Sequence, residues 1–535
     1  MTTEDIAKLE PKPSDWFSPV VEYRGDGVAR FSNPKGQVKG PLLARFDESS
    51  IAIEMEGETA EAEGIGADPF QLLPLDRTNP CQSLEVVTQE GVLTATGPIQ
   101  PGFTIGKGLQ LRFHADVSYF VTANPNKSKY WVLPLTNLLS DFMPSHAALD
   151  QHPLRIYPTP DIPEHLKDDA LATAIALQKN RLIVFEFADS LGFIEPLPDY
   201  KAREEDLLER RKHCAITAVM VGEVNDQPTE HFEDVQKWFP FNFLDLLGLA
   251  TGAEVGAPWI EFRDEQGDLV RRMHVHLSTP VYAKGHRAIR EVAHRGTGRL
   301  LTNASSCQYW STSCLRVALR QVVRGGRYEH IILEDRFSYL CRAVETLCNY
   351  HGISTYNLLQ SLEPSVRNQV QAELKNTATR IDAIARAQAT AGNHRQARIL
   401  DRIGERTVST PTGQDRSFAL QIRDLLKLYS LPDADIIDSH YQNHPRADGR
   451  KTWGSVLSYY RGAVTHEGYY DTTGGSHDVE DVWRITRHLH DVLIRILLKM
   501  ANYDGTYSPT ISTWVIQKPV DWVTPATQPS ELGYN

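Results

Sequence analysis

An arginine and a histidine five positions apart, Arg461 and His466, close a helix-prone segment that reads Tyr459-Tyr460-Arg461-Gly462-Ala463-Val464-Thr465-His466-Glu467-Gly468. Arginine stays charged and presents a planar fork of donors that matches phosphate oxygens. Histidine is the side chain best suited to move protons near neutral pH. A phosphate clamp beside an acid–base group is the minimum equipment for breaking a phosphodiester without a metal. The plainer reading of the same residues is a surface arginine and a histidine at a helix C-terminus.

The element that must position this pair is a helix expected over residues 452–465. Trp453, Val456, Leu457, Tyr460 and Val464 form its apolar stripe, and Arg461 sits next to that stripe. Five residues of a straight helix rotate by about 500°, which leaves Arg461 and His466 about 140° apart. One straight helix cannot aim both at one phosphate. Either the helix breaks near Thr465, or two copies supply complementary residues. Around it, periodic apolar positions predict helices over residues 315–324, 331–350, 364–391, 395–406, 416–429 and 479–501. The second of these carries Phe337, Leu340, Cys341, Val344, Leu347 and Cys348 on one face. Gly325, Gly352 and Gly392 stand where helices are expected to stop. Together they make a C-terminal α-helical bundle.

Arg-x4-His closing a helix, with Gly468 after it, resembles the HEPN superfamily, whose active members are metal-independent RNases. The resemblance spans roughly residues 331–501. The helix holding Ala343-Val344-Glu345 is similar to the family's first helix and residues 479–501 to its last. It implies a homodimer through the C-terminal bundle, with the motifs of both protomers facing each other. It also implies an endoribonuclease in which His466 acts as general base or acid, Arg461 stabilises the phosphorane, and the products carry 2′,3′-cyclic phosphate and 5′-hydroxyl ends. This sequence departs from the family at Gly462, where a polar residue, commonly Asn, is usual. That departure favours the alternative, a catalytically inactive bundle serving dimerisation and RNA or partner binding. A β-rich half ahead of such a bundle looks like the ApeA group of anti-phage HEPN proteins. On that likeness the protein is an abortive-infection effector, regulated by its N-terminal half through a phage-derived or host trigger.

Between residues 366 and 451 there are 14 Arg/Lys against 10 Asp/Glu, in a chain whose formal net charge is -12. Arg395, Arg398, Arg402 and Arg406 recur at helical spacing and are candidate RNA-binding residues. The plainer reading is a solvated face with Asp401 and Glu405 as ion-pair partners. His440 and His444 have the i, i+4 spacing of a zinc pair without a third ligand, and His274 and His276 read as a hairpin surface. Cys307/Cys314 and Cys341/Cys348 read as core residues. Gly106-Lys107-Gly108 lacks the rest of a P-loop. No metal and no cofactor is expected.

Residues 20–132 alternate short β-prone runs with Gly, Pro, Asp and Asn, which predicts antiparallel strands in a sandwich or jelly roll, and residues 1–280 as a whole read as a β-rich half. Trp259-Ile260-Glu261-Phe262 and residues 269–276 read as a hairpin turning at Asp264-Glu265-Gln266-Gly267. A Pro-rich connector is expected at residues 153–163, and helices at residues 167–179, 202–213 and 230–252. The fold class is α+β: residues 1–165 sandwich-like, 166–300 a mixed continuation of the N-terminal regulatory half, 301–505 the helical bundle and 506–535 a tail. The acidic net charge argues against coating nucleic acid non-specifically. Six cysteines in 535 residues are no disulfide framework, no apolar run approaches a membrane span, and the acidic N-terminus is no signal peptide, which together predict a cytoplasmic protein.

Overall fold

The computed structural model describes residues 18–63, 81–139, 183–224, 242–289, 296–431, 453–467, 479–510 and 518–520, apart from short gaps within these stretches, together with Val235. The expected connector at 153–163, the helix at 167–179, the first part of the 230–252 helix, Gly106-Lys107-Gly108, His276, His440 and His444 lie outside the described residues. The strands are β1 (Val21–Ser32), β2 (Lys35–Phe46), β3 (Ile51–Glu56), β4 (Glu61–Glu63), β5 (Cys81–Val87), β6 (Gly91–Ile105) and β7 (Leu109–His114). They continue with β8 (Val117–Thr122), β9 (Tyr130–Thr136), β10 (Ile183–Phe187), β11 (Ser190–Pro196), β12 (Ile216–Glu223), β13 (Trp259–Arg263) and β14 (Leu269–Val275). Helices α1 (Tyr200–Leu208), α2 (Asn242–Thr251), α3 (Gly296–Ser305) and α4 (Ser313–Gly325) accompany them.

These fourteen strands belong to one antiparallel sheet rather than to two stacked ones, while four two-residue strands among the described residues pair separately. Its order is β10-β11-β12-β9-β13-β14-β8-β6-β5-β1-β2-β3-β7, with β4 beside β2. The second half of β6 also pairs with β7, from Gln100↔His114 to Ile105↔Leu109, so β6-β5-β1-β2-β3-β7 closes into a ring. Closure needs a bend in β6. The bend falls at Gly97-Pro98, where the register against β5 shifts between Cys81 and Ser83; an unpaired insertion of this kind kinks a strand. In β1 the alternation is plain: Val21, Tyr23, Ala29 and Phe31 are buried while Glu22, Arg24, Asp26 and Arg30 are exposed. Every residue of β9 and β13 is buried, so the sheet is covered on both faces there. At the end of the sheet β10 packs on α3. The Glu186 N–H donates to Thr302 Oγ1 at 2.9 Å, and Ser305 Oγ donates to the Glu186 carbonyl at 3.3 Å.

A buried charged network threads the β13–β14 hairpin. Glu261 and Arg272 are direct cross-strand partners. Glu261 Oε1 accepts from Arg272 Nε at 2.9 Å and from Trp259 Nε1 at 3.1 Å, while Oε2 accepts from Arg263 Nε at 2.8 Å. Burial alone raises a carboxyl's pKa, but the two arginines outweigh it and hold Glu261 below the usual range. Arg272 Nη1 donates to Tyr23 Oη at 2.9 Å, and that hydroxyl lies 2.9 Å from His274 Nε2. The Tyr23 hydroxyl thus bridges the Arg272 guanidinium and the His274 ring. Burial pushes the Tyr23 phenol up to about 12.

His274 is therefore a core residue and not the hairpin-surface histidine expected from its spacing. It is buried, stacks on Phe46 at 3.6 Å between centroids, and its Nδ1 has no hydrogen-bond partner among the described residues. Burial, then the Arg272 charge, hold its pKa well below the usual value. The folded chain thus refuses a proton that the unfolded chain accepts at about pH 6.5. Stability is retained above that pH and is lost as pH falls below it, with a limiting slope of about 1.4 kcal/mol per pH unit for this one group. Chemical denaturation at a series of pH values, comparing wild type with His274→Gln, should show a shallower acid limb in the variant. Equal slopes in the two proteins would remove His274 from the account.

The chain divides into two compact units, Met1–Ile332 with His490–Trp522, and Leu333–Leu489 with Val523–Asn535. Strands from residues 21–136 and 183–275 share one sheet. Residues 301–332 group with the sheet because α4 packs on α2 and α3 packs on β10.

The second unit holds α5 (Leu333–Tyr350), α6 (Pro364–Thr390), α7 (His394–Ser409), α8 (Phe418–Leu428), α9 (Trp453–Glu467) and the first half of α10 (Val479–Met500). Helices α5, α8 and α9 pack on one another. The stripe read on α5 is the buried face: Phe337, Leu340, Cys341, Val344, Leu347 and Cys348 are all buried. Helices α6 and α7 form an antiparallel hairpin turning through Gly392, whose φ of +81° favours glycine. Their seam is built from small residues. A Cβ on Gly404 would stand 2.7 Å from Asp382 Oδ1 and 3.6 Å from Ile381 Cγ2.

Candidate active site

Helix α9 runs unbroken from Trp453 to Glu467. Its buried stripe is Leu457, Tyr460 and Ala463, at i, i+3, i+6 spacing, and Val464 is half-buried. Arg461 is the next residue round from Tyr460 and is only partly exposed. Two neighbours hold it. Its Nε and Nη2 both donate to Glu345 Oε1 of α5, the first at 3.1 Å. Its guanidinium carbon lies 5.1 Å from the centroid of the Phe418 ring at the start of α8. Three helices thus fix one guanidinium, by a carboxylate on one edge and an aromatic ring on its face.

Glu345 is the residue that sequence reasoning did not assign a role. It lies 116 positions from Arg461, so no local spacing links them. The available signal was its place on α5. Glu345 follows Val344 of the buried stripe, which sets it at the border of the face that α5 turns to its neighbours. Beneath the pair lies Cys341, whose thiol burial pushes far up; Arg461 only partly counters this, leaving a neutral thiol that is no nucleophile.

His466 lies in the last turn of α9, and its side chain is outside the described residues. Because the helix does not break at Thr465, the backbone positions of Arg461 and His466 stay about 140° apart around the axis.

Gly462 stands in open space: a Cβ built on it has no neighbour within 4 Å. Its presence weakens the helix, since glycine in a helix interior costs about 0.5–1 kcal/mol relative to alanine. Gly462→Ala should therefore stabilise the second unit by about 0.5–1 kcal/mol, read as a rise in its melting or denaturant midpoint. A drop would show that the position needs glycine for a close approach absent from this chain alone.

The four candidate RNA-binding arginines are all exposed on α7. Arg395, Arg398, Arg402 and Arg406 make no ion pair among the described residues, so the expected pairing with Asp401 and Glu405 does not form. They are not brought to Arg461. Helix α7 packs along α6, whereas Arg461 and Glu345 sit on the α5–α8–α9 group. Elsewhere, Cys307, Cys314, Cys341 and Cys348 are buried thiols, as their helical spacing led one to expect, and Cys214 is buried too. Among the described residues no three His, Cys, Asp or Glu side chains converge as metal ligands, and no helix is long and apolar enough to cross a membrane. No family model, no curated protein and no solved structure matches the chain.

Proposed function

We propose that this chain is a metal-independent endoribonuclease of HEPN type, acting as a homodimer through its helical unit. The observation that carries the reading is Arg461. Its guanidinium is partly exposed and held by Glu345 and Phe418, on a continuous helix that presents a histidine five residues on. In this scheme His466 takes the proton of a ribose 2′-hydroxyl or returns one to the leaving 5′-oxygen. The 2′-oxygen attacks the adjacent phosphorus and the 5′-oxygen departs, leaving a 2′,3′-cyclic phosphate and a 5′-hydroxyl. Arg461 offers its remaining N–H donors to the phosphorane oxygens, and Glu345 orients it. The exposed arginines of α7 bind RNA away from the reacting atoms, where their unpaired charge suits phosphates. The N-terminal sheet responds to a phage-derived or host trigger and regulates the nuclease, as in an abortive-infection effector of the cytoplasm.

The test is labelled single-stranded RNA in EDTA, with wild type and His466→Ala side by side and the product ends identified. DNA, lacking the 2′-hydroxyl, should stay intact. One observation favours a second reading. The Nε–Nη2 edge of Arg461, the edge that grips phosphate in a fork, is occupied by Glu345. An ion pair so placed also suits a non-catalytic bundle serving dimerisation and RNA or partner binding, and RNA that is bound but never cut would select it.

A further inference from the structure

Helix α4 carries a row of arginines that the chain only half neutralises. Arg316, Arg320 and Arg324 recur every four residues. They therefore climb one strip of the helix, about 6 Å apart along its axis and about 40° apart around it. The row flanks the buried stripe of Leu315, Leu319 and Val322, and Arg327 follows just past the helix end. Two carboxylates answer the four cations. Asp245 of α2, the helix on which α4 packs, accepts from Arg320 Nε at 2.8 Å on Oδ1, and its Oδ2 lies 3.3 Å from Arg316 Nε. Glu254 accepts from Arg324 Nε on Oε1, and its Oε2 lies 3.2 Å from Arg327 Nη2. Both oxygens of each acid are thus engaged, and four arginines against two carboxylates leave a net charge of +2 on these six side chains. The charges are layered. The Asp245 and Glu254 side chains are 7% and 14% exposed, beneath arginines at 30%, 40% and 43% along the helix. One arginine per carboxylate would satisfy the acids. The second adds repulsion: burial first, then the Arg320 charge, lowers the pKa of Arg316.

We infer that this row binds the phosphate backbone of a nucleic acid, as a second, non-catalytic site on the unit that holds the sheet. It is separate from Arg461 and from the arginines of α7, and it does not rest on the ribonuclease reading. Three features select the ligand. The acids take the arginines of the helix at Nε, and among the described residues no hydrogen bond uses Nη1 or Nη2 of Arg316 or Arg320. Each of these two guanidiniums is tethered at its inner nitrogen and keeps its outer pair for a ligand, and that pair can fork onto phosphate oxygens. The cations also form a line. A row about 12 Å long from Arg316 to Arg324 suits a succession of phosphates, whereas one small anion needs guanidiniums that converge. Finally, the helix positions beside the row are Val317 and Gln321, which offer no aromatic platform for a base. Contacts to backbone alone position a nucleic acid without reading its sequence. In a chain of net charge -12 the attraction is local, so it should fade steeply as salt rises.

The experiment is binding of the full chain, followed by fluorescence anisotropy across a salt series. The probes are labelled duplex DNA, single-stranded DNA and 2′-O-methyl RNA, none of which offers a 2′-hydroxyl for attack. Wild type should bind at least one, and the three arms tell which nucleic acid supplies the phosphates. Arg316→Gln/Arg320→Gln should weaken that binding about tenfold and lower the slope of log affinity against log salt by about 1 per arginine. The α7 arginines are present in both proteins, so the difference belongs to α4. Arginines that merely hold Asp245 would leave the slope unchanged. Should the double variant unfold, Val317→Glu takes its place. Val317 is 43% exposed and three residues before Arg320, so a carboxylate there competes for the outer nitrogens without entering the core. It should weaken the same arm, while Val121→Glu, 41% exposed on the sheet, should not. Unchanged affinity and slope in the α4 variants would overturn the inference, as would a wild type that binds none of the probes or an equal loss in Val121→Glu. Displacement by tripolyphosphate at equal phosphate concentration would reduce the row to a small-anion site and overturn it too. Lost binding in the α4 variants of a protein that cuts no RNA would keep this inference while the ribonuclease reading fails.

Discussion

His466→Ala should abolish RNA cleavage, and Arg461→Ala should come close to doing so, with neither variant unfolding. The two substitutions remove different contributions. General acid–base catalysis is worth about 10²–10⁴-fold. Loss of a stabiliser of developing charge costs roughly 10²–10³-fold. Arg461→Lys should also fail, because an ammonium keeps the charge but reaches neither two phosphate oxygens at once nor the face of Phe418 in the same way. Stability should hold, because Arg461 lies beside the buried stripe of α9 rather than in it, and its ion pair with Glu345 is partly exposed and worth little. The measurement is a time course on labelled RNA in EDTA with a melting curve for each protein. Full activity in His466→Ala would end the ribonuclease reading and leave the binding bundle.

The second large effect lies in the sheet. Glu261→Ala should destabilise the first unit by about 3–5 kcal/mol, the cost of leaving buried cations without their anion. Glu261 is flanked by Arg263 and Arg272, both nearly inaccessible, and its two oxygens answer both guanidiniums and the Trp259 indole. Removing the carboxylate strands two positive charges with nowhere to reach water. Glu261→Gln should cost somewhat less, since the amide oxygen still accepts one bond. Replacing Glu261, Arg263 and Arg272 together by apolar residues should recover much of the loss, because a buried ion cluster is not in itself a large net stabiliser. Urea midpoints of the four proteins give the comparison. A change below about 0.5 kcal/mol in Glu261→Ala, the size typical of surface sites, would mean that water enters the hairpin freely.

The features legible in the sequence are those carried by local periodicity. The stripe of α5 could be read residue by residue because Phe337, Leu340, Val344 and Leu347 repeat at the pitch of a helix. The β13–β14 hairpin was legible because its two runs flank a turn ending at Gly267, whose φ is +88°. The helix through Arg461 was legible for the same reason. Closure of the sheet was not. It depends on β3 and β6 both accepting β7, and apolar–polar alternation is the same whichever strand lies alongside. The polar partnerships were hidden for a related reason. Glu345 reaches Arg461 across 116 positions, and Tyr23 reaches His274 across 251. A histidine sharing its strand face with an arginine looks solvent-facing until the sheet folds Phe46 and Tyr23 over it.

A sheet of this length has a solubility problem that its ring only half removes. One end of the strand order vanishes when β7 returns to β6, but β10 at the other end still turns outward. An outermost strand with idle peptide groups is a template on which another chain can crystallise strand by strand into an aggregate. Here the hydroxyls of Thr302 and Ser305 occupy the amide and carbonyl of Glu186, near the end of that border, and α3 packs on it. Two small side chains thus act as gatekeepers against fibril growth. They guard a protein that carries many strands and whose newly made chain must wait for residues 296–305 before its border is closed.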